Sequence, residues 1–140
     1  MIDNTSPGCD LNQPEGIAFG PDGNLYVTSL RADTADDKLT DKILIVKISD
    51  GKGTCIDKIE LDEHYGDRAL ALTLLFGPNN SLLVPIAGPT GGKDTGAIRR
   101  YDVKSKTFDY LVPRGPNNPL IRPRYLTFRK MNPATLAYEP

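Results

Sequence analysis

Residues 14–29 read Pro14-Glu15-Gly16-Ile17-Ala18-Phe19-Gly20-Pro21-Asp22-Gly23-Asn24-Leu25-Tyr26-Val27-Thr28-Ser29. Two short apolar runs flank Pro-Asp-Gly-Asn, which folds as a tight turn because glycine accepts the positive φ a hairpin connection requires. The stretch predicts strand, turn, strand. The pattern returns at Thr73-Leu74-Leu75-Phe76-Gly77-Pro78-Asn79-Asn80-Ser81-Leu82-Leu83-Val84-Pro85, with Phe76 fifty-seven residues after Phe19. Asn79 and Asn80 replace the Asp-Gly pair there, and asparagine tolerates left-handed backbone better than most side chains. A third copy, from Arg124 to Tyr138, has Phe128 fifty-two residues after Phe76 and a turn one residue longer. Phe19, Phe76 and Phe128 hold one repeat position and are expected in the core.

Each of the first two hairpins is followed by a second pair of strands. Lys42–Ile48, a turn at Asp50–Gly53 and Thr54–Leu61 follow the first; Ala97–Asp102, a turn through Val103–Lys106 and Thr107–Val112 follow the second. Apolar and polar residues alternate in both last strands, as in a half-exposed edge. Four antiparallel strands recurring at 40–60 residues are the pattern of a β-propeller blade. The expected fold is all-β: one domain over 1–140, with four-stranded blades at about 14–61 and 69–113 and a trailing hairpin, a partial third blade, at about 122–138.

Pro14 to Ser29 resembles the Pro-x-Gly-Ile-Ala-Phe-Gly-Pro-Asp-Gly-Asn-Leu-Tyr-Val segment of NHL-type and gluconolactonase-like propeller repeats. Ile98-Arg99-Arg100-Tyr101-Asp102 is similar to their Leu-Arg-Tyr-Asp third strand. The resemblance covers roughly residues 14–138. It implies a propeller frame whose relatives include lactonases and also repeats that only bind proteins, RNA or sugars. The lactonases hold a divalent metal, commonly calcium, with a Glu, an Asn and an Asp from different blades. Glu15 falls close to that Glu, while Asn12 and Asp67 precede comparable first strands; these three are the metal residues the resemblance implies. Glu15 also fills the variable position of Pro-x-Gly, where no metal is needed. Many such repeats end the second strand in Asp, where this chain has Ser29 and Ala87.

A closed propeller needs at least four blades, and two with a hairpin fall short. A ring of copies joined head to tail, a longer protein, and a different compact β structure each answer that deficit; the ring is the expectation. Charge supports it. Residues 1–97 hold 8 Lys+Arg against 15 Asp+Glu, whereas residues 98–140 hold 9 against 3, so opposite ends attract. The basic residues are spread along strands without interleaved stacking aromatics, which argues against a nucleic-acid partner. No run of 18 apolar residues is present to cross a membrane as a helix. The first seven residues lack a basic and then an apolar region. The protein is therefore cytosolic or else exported, secreted or periplasmic, with a leader outside this sequence; export is the expectation.

The remaining candidates have ordinary alternatives. Asp33, Asp36, Asp37 and Asp41 are expected to contact a ligand, calcium among the choices, from a long loop on a rigid frame. Their spacing is not that of an EF-hand, and a solvated loop is the simpler reading. His64, the single histidine, lies beside Asp62 and Glu63 and reads as a linker residue. The loop Gly88–Gly96 joins two strands and lacks the Gly-Lys-Ser/Thr that opens a helix in phosphate-binding loops. Cys9 and Cys55 make one disulfide or two thiols. Six tyrosines without tryptophan leave a glycan ligand open. The function expected is a non-enzymatic binding or scaffold module for a small ligand, glycan or protein, without a cofactor. The alternative is a metal-dependent lactonase or hydrolase.

Overall fold

The computed structural model of the chain describes residues 10–31, 40–62, 68–88, 95–118 and 120–128. These form an all-β structure of two four-stranded antiparallel sheets, each in simple sequential order and neither closed on itself. The first sheet contains β1 (Pro14–Phe19), β2 (Leu25–Ser29), β3 (Lys42–Ser49) and β4 (Lys52–Glu60). The second contains β5 (Leu75–Phe76), β6 (Leu82–Ile86), β7 (Ala97–Asp102) and β8 (Thr107–Val112). A single 3-10 turn, Pro78–Asn80, is the one helical element among the described residues.

The turns follow from their residues. Gly23 closes β1–β2 at φ +79°, a conformation that strains any residue with a Cβ. Asn79 and Asn80 adopt φ of 57° and 58° in the second hairpin, so asparagine takes over the left-handed role as expected. Asp22 fastens the first turn by accepting from the Asn24 N–H at 3.1 Å, the Asn24 side chain at 2.7 Å and the Tyr26 hydroxyl at 3.0 Å. Burial raises the Asp22 carboxyl's pKa, these donors outweigh it, and the net shift is downward.

One core joins the sheets. Tyr26, Ile43, Ile45, Ile59 and Leu61 of the first pack with Leu74, Leu82, Val84, Ile86, Ala97 and Tyr101 of the second. Each large apolar side chain taken fully out of water there contributes about 1.5–3 kcal/mol. The alternate residues Leu25, Val27, Leu44 and Val46 form a separate cluster on the far side of the first sheet, with Leu11 and Cys55 against it. Edge strands β4 and β8 are mostly exposed, as their alternation predicts.

Two expectations change. Phe19 is not core: it is 66% exposed, whereas its repeat mate Phe76 packs against the common core. The described part of the third copy, through Phe128, forms no strand; residues 129–138 of the expected hairpin lie outside the described residues.

Candidate functional site

The ends of β2 and β4, the start of β3 and the entry to β5 converge on a buried polar node. Asp41, with no exposed surface, accepts from the Arg31 N–H at 2.8 Å, from Arg68 Nη2 at 3.1 Å and from the Leu70 N–H at 2.9 Å. Its own N–H donates to Asp62 Oδ2 at 3.0 Å, and Asp62 Oδ1 accepts from the Ala69 N–H at 2.8 Å. Burial, added to by the neighbouring Asp41, pushes the Asp62 carboxyl above its ordinary value against the opposing pull of the two N–H donors. These two carboxylates therefore fasten the chain as it leaves the first sheet for the second.

The same end shows the repeat in its polar contacts. Arg68 donates to the carbonyl of Arg31 at 2.9 Å, and Arg114 donates to that of Gly88 at 3.3 Å. Arg31 and Gly88 each stand two residues past the second strand of their sheet. Beside them, a register shift between Pro14 and Ile17 lets the Thr28 hydroxyl accept from Gly16 N–H at 2.7 Å and Glu15 N–H at 3.3 Å. Ser29 Oγ accepts from the Asn12 N–H at 2.9 Å. Glu15 is exposed and Asn12 half-buried near this corner.

The expected site residues are thus spread unevenly. Of the acidic loop, Asp41 lies inside, its carboxylate occupied by three donors, and Asp33, Asp36 and Asp37 fall outside the described residues. Asp67 and His64 fall outside them too. No group of three His, Cys, Asp or Glu able to hold a metal gathers among the described residues. Cys55 carries a free thiol beside the Leu25–Val46 cluster, and Cys9 is outside the described residues.

A second surface is apolar and follows the repeat. Phe76 meets Tyr26 edge to face, with ring centroids 4.8 Å apart, and its ring tip lies 3.0 Å from where a Cβ on Gly20 would stand. One repeat later Phe128 sits in the same way over Gly77, its ring tip 3.3 Å from the equivalent point, and shares a groove of about 460 Å³ with Leu83 and Leu111. Each phenylalanine thus seats on the glycine of the preceding copy. Leu74, two residues before Phe76, is 3% exposed on that contact, but the corresponding Ile17 is 65% exposed. At the other end Tyr125, which alternates with half-buried Leu126 and Phe128, is 76% exposed.

Sequence reading missed three features. Arg99, counted with the basic tail, is 1% exposed, lies 4.4 Å over the Phe108 ring and donates to the Leu61 carbonyl and, at 3.0 Å, to the Tyr101 hydroxyl. Its position between inward Ala97 and Tyr101 was the available signal. The Asp41–Arg68 pair links residues 27 apart with no local motif. A groove of about 530 Å³ at the β7–β8 turn is lined by Asn79, Arg100, Asp102, Lys104, Phe108 and Asp109. Three of its charges are engaged locally: Arg100 clamps Asp109 with two hydrogen bonds, and Asp102 accepts from the Lys104 and Ser105 N–H groups. Compared with protein-family models, with curated proteins and with solved structures, the chain matches none of them.

Proposed function

We propose that the two sheets are β-propeller blades and that the chain works as a non-enzymatic binding or scaffold module for a small ligand, glycan or protein. The observation that supports this most is the repeated seating of phenylalanine on glycine, Phe76 on Gly20 and Phe128 on Gly77. That contact advances one sheet per repeat, which is how successive blades stack around an axis. The buried Asp41–Arg68–Asp62 node holds the connection between sheets at one end, leaving the loops there to be presented by a fixed frame.

Two measurements test the reading. Nuclear Overhauser contacts are expected from the Phe76 ring to Gly20 and from the Phe128 ring to Gly77; absence of the second refutes blade-like stacking. Incubated with aldonolactones and calcium, the chain is expected to leave hydrolysis at the uncatalysed rate. Metal-dependent turnover that disappears in Glu15→Gln would replace this function with the lactonase alternative.

A further inference from the structure

We propose that the Ile17/Phe19 face of β1 is the docking surface for the Arg124–Phe128 segment of a second copy of this chain, joined head to tail. The inference rests on the blade reading and adds the partner and the residues that meet. The side of β1 bearing Ile17 and Phe19 is equivalent, residue for residue, to the side of the second repeat bearing Leu74 and Phe76. That side is buried against the first sheet. In the third repeat Phe128 turns toward the second sheet, and Leu126 is half-buried. Three copies of one pattern thus share a backward side, and among the described residues only the first leaves its large apolar side chains, Ile17 and Phe19, exposed there.

The forward side shows the complementary gap. Gly16 faces forward onto Thr73, so closely that a Cβ on Gly16 would stand 2.6 Å from Thr73 Cα. Tyr125 holds the Gly16 position in the third repeat and is 76% exposed, with Thr127 exposed beside it. Among the described residues, the first repeat therefore exposes Ile17 and Phe19 on its backward side, and the third exposes Tyr125 at the position that Gly16 uses to face forward. Each fits the other by the relation that already joins the repeats within the chain. Such a contact is heterologous, and successive additions close a ring or extend a filament. Charge agrees: exposed Arg124 flanks Tyr125, exposed Glu15 flanks Ile17, and the acidic first 97 residues meet the basic last 43. Large apolar side chains exposed on a sheet edge are what a docking surface leaves in an isolated protomer.

Light scattering and sedimentation velocity on the full chain read the association, expected at multiples of 15.3 kDa that grow with concentration and weaken as salt rises. Phe19→Glu and Tyr125→Glu each blunt one end, and each is expected to raise the dissociation constant at least about thirty-fold, the effect of losing an aromatic anchor. Because the two variants damage opposite faces, an equimolar mixture regains one good junction and is expected to form a capped dimer. Wild-type protein that stays monomeric at millimolar concentration overturns the proposal. So does assembly unaffected by Phe19→Glu, or a mixture that remains monomeric, which marks a symmetric contact instead. Circular dichroism checks that both variants fold. The ring contacts Phe76–Gly20 and Phe128–Gly77, measured on the same samples, separate the two ideas: if they persist in a monomer, the blade reading stands and the docking surface does not.

Discussion

Leu74 and Ile17 occupy the same repeat position, yet truncating them should have opposite outcomes. Leu74 is 3% exposed, so Leu74→Ala removes contacts on all sides and leaves a cavity; such substitutions cost about 2–5 kcal/mol. Ile17 is 65% exposed, so only about a third of the 1.5–3 kcal/mol available to a fully buried side chain is at stake, about 0.5–1 kcal/mol in the isolated chain. Urea unfolding followed by circular dichroism in dilute solution, at about 1 µM protein, reads both values from the midpoint at constant slope. In a thermal scan the Leu74 cost corresponds to a fall of roughly 10 °C for a domain of this size. Repeating the scan near 1 mM adds the linkage to association. The wild-type midpoint should climb with concentration, whereas that of Ile17→Ala should climb less. Equal costs at the two positions in dilute solution would refute the reasoning, since they would mean that Ile17 is as well packed as Leu74.

Asp41→Ala removes a fully buried acceptor of three hydrogen bonds, one of them from Arg68, and should destabilise by about 3–5 kcal/mol in the same urea assay; a loss under about 1 kcal/mol would show that these donors find other acceptors. Asp62 has its carboxyl raised by burial and by Asp41. The folded chain therefore holds that proton more tightly than the unfolded one, and the stability Asp62 contributes is lost as pH rises from the ordinary carboxylate value through the raised one. Asp62→Asn removes this negative term, so its stability should rise with pH more steeply than the wild type's across that window; an unchanged or shallower slope contradicts the assignment. Gly23→Ala should cost about 1 kcal/mol because a Cβ is strained at φ +79°, while Asn79→Gly at φ 57° should be neutral or slightly stabilising. Thermal midpoints of the two variants moving in the same direction by similar amounts would show that turn backbone does not limit stability.

The fold was legible where local chemistry decides it. Alternation and turn residues define β7, the turn at Val103–Lys106 and β8 at the bounds observed, because each of these signals lies within a few residues of the feature it sets. In the second hairpin the repeat pattern runs from Thr73, but pairing is confined to Leu75 and Phe76. Upstream of it, the Leu70 N–H is committed to Asp41 and Thr73 is pressed against Gly16, both determined by residues more than 25 positions away. Distance in sequence likewise hid the polar node. Asp41 looked like one more acidic loop residue, and what sets it apart is Arg68 approaching through space. Arg99 is different, since its parity with inward-facing Ala97 and Tyr101 marks it for the interior despite its charge.

Phe19 carries the most consequence, because here the sequence pattern is sound and the environment is missing. Its local sequence, Ala-Phe-Gly-Pro, matches the Leu-Phe-Gly-Pro around Phe76 at three of four positions, so local propensity cannot explain why one ring is two-thirds exposed and the other packed. Only the neighbour differs. Phe76 has Gly20 and Tyr26 behind it, and Phe128 has Gly77 and Leu83. Leaving both Ile17 and Phe19 in water forgoes about 1–2 kcal/mol apiece relative to burial. The other two members of that position, Phe76 and Phe128, each sit against the glycine of the copy before them. On the head-to-tail docking proposed above, the segment around exposed Tyr125 of a second chain would give Ile17 and Phe19 the kind of neighbour that Phe76 and Phe128 already have.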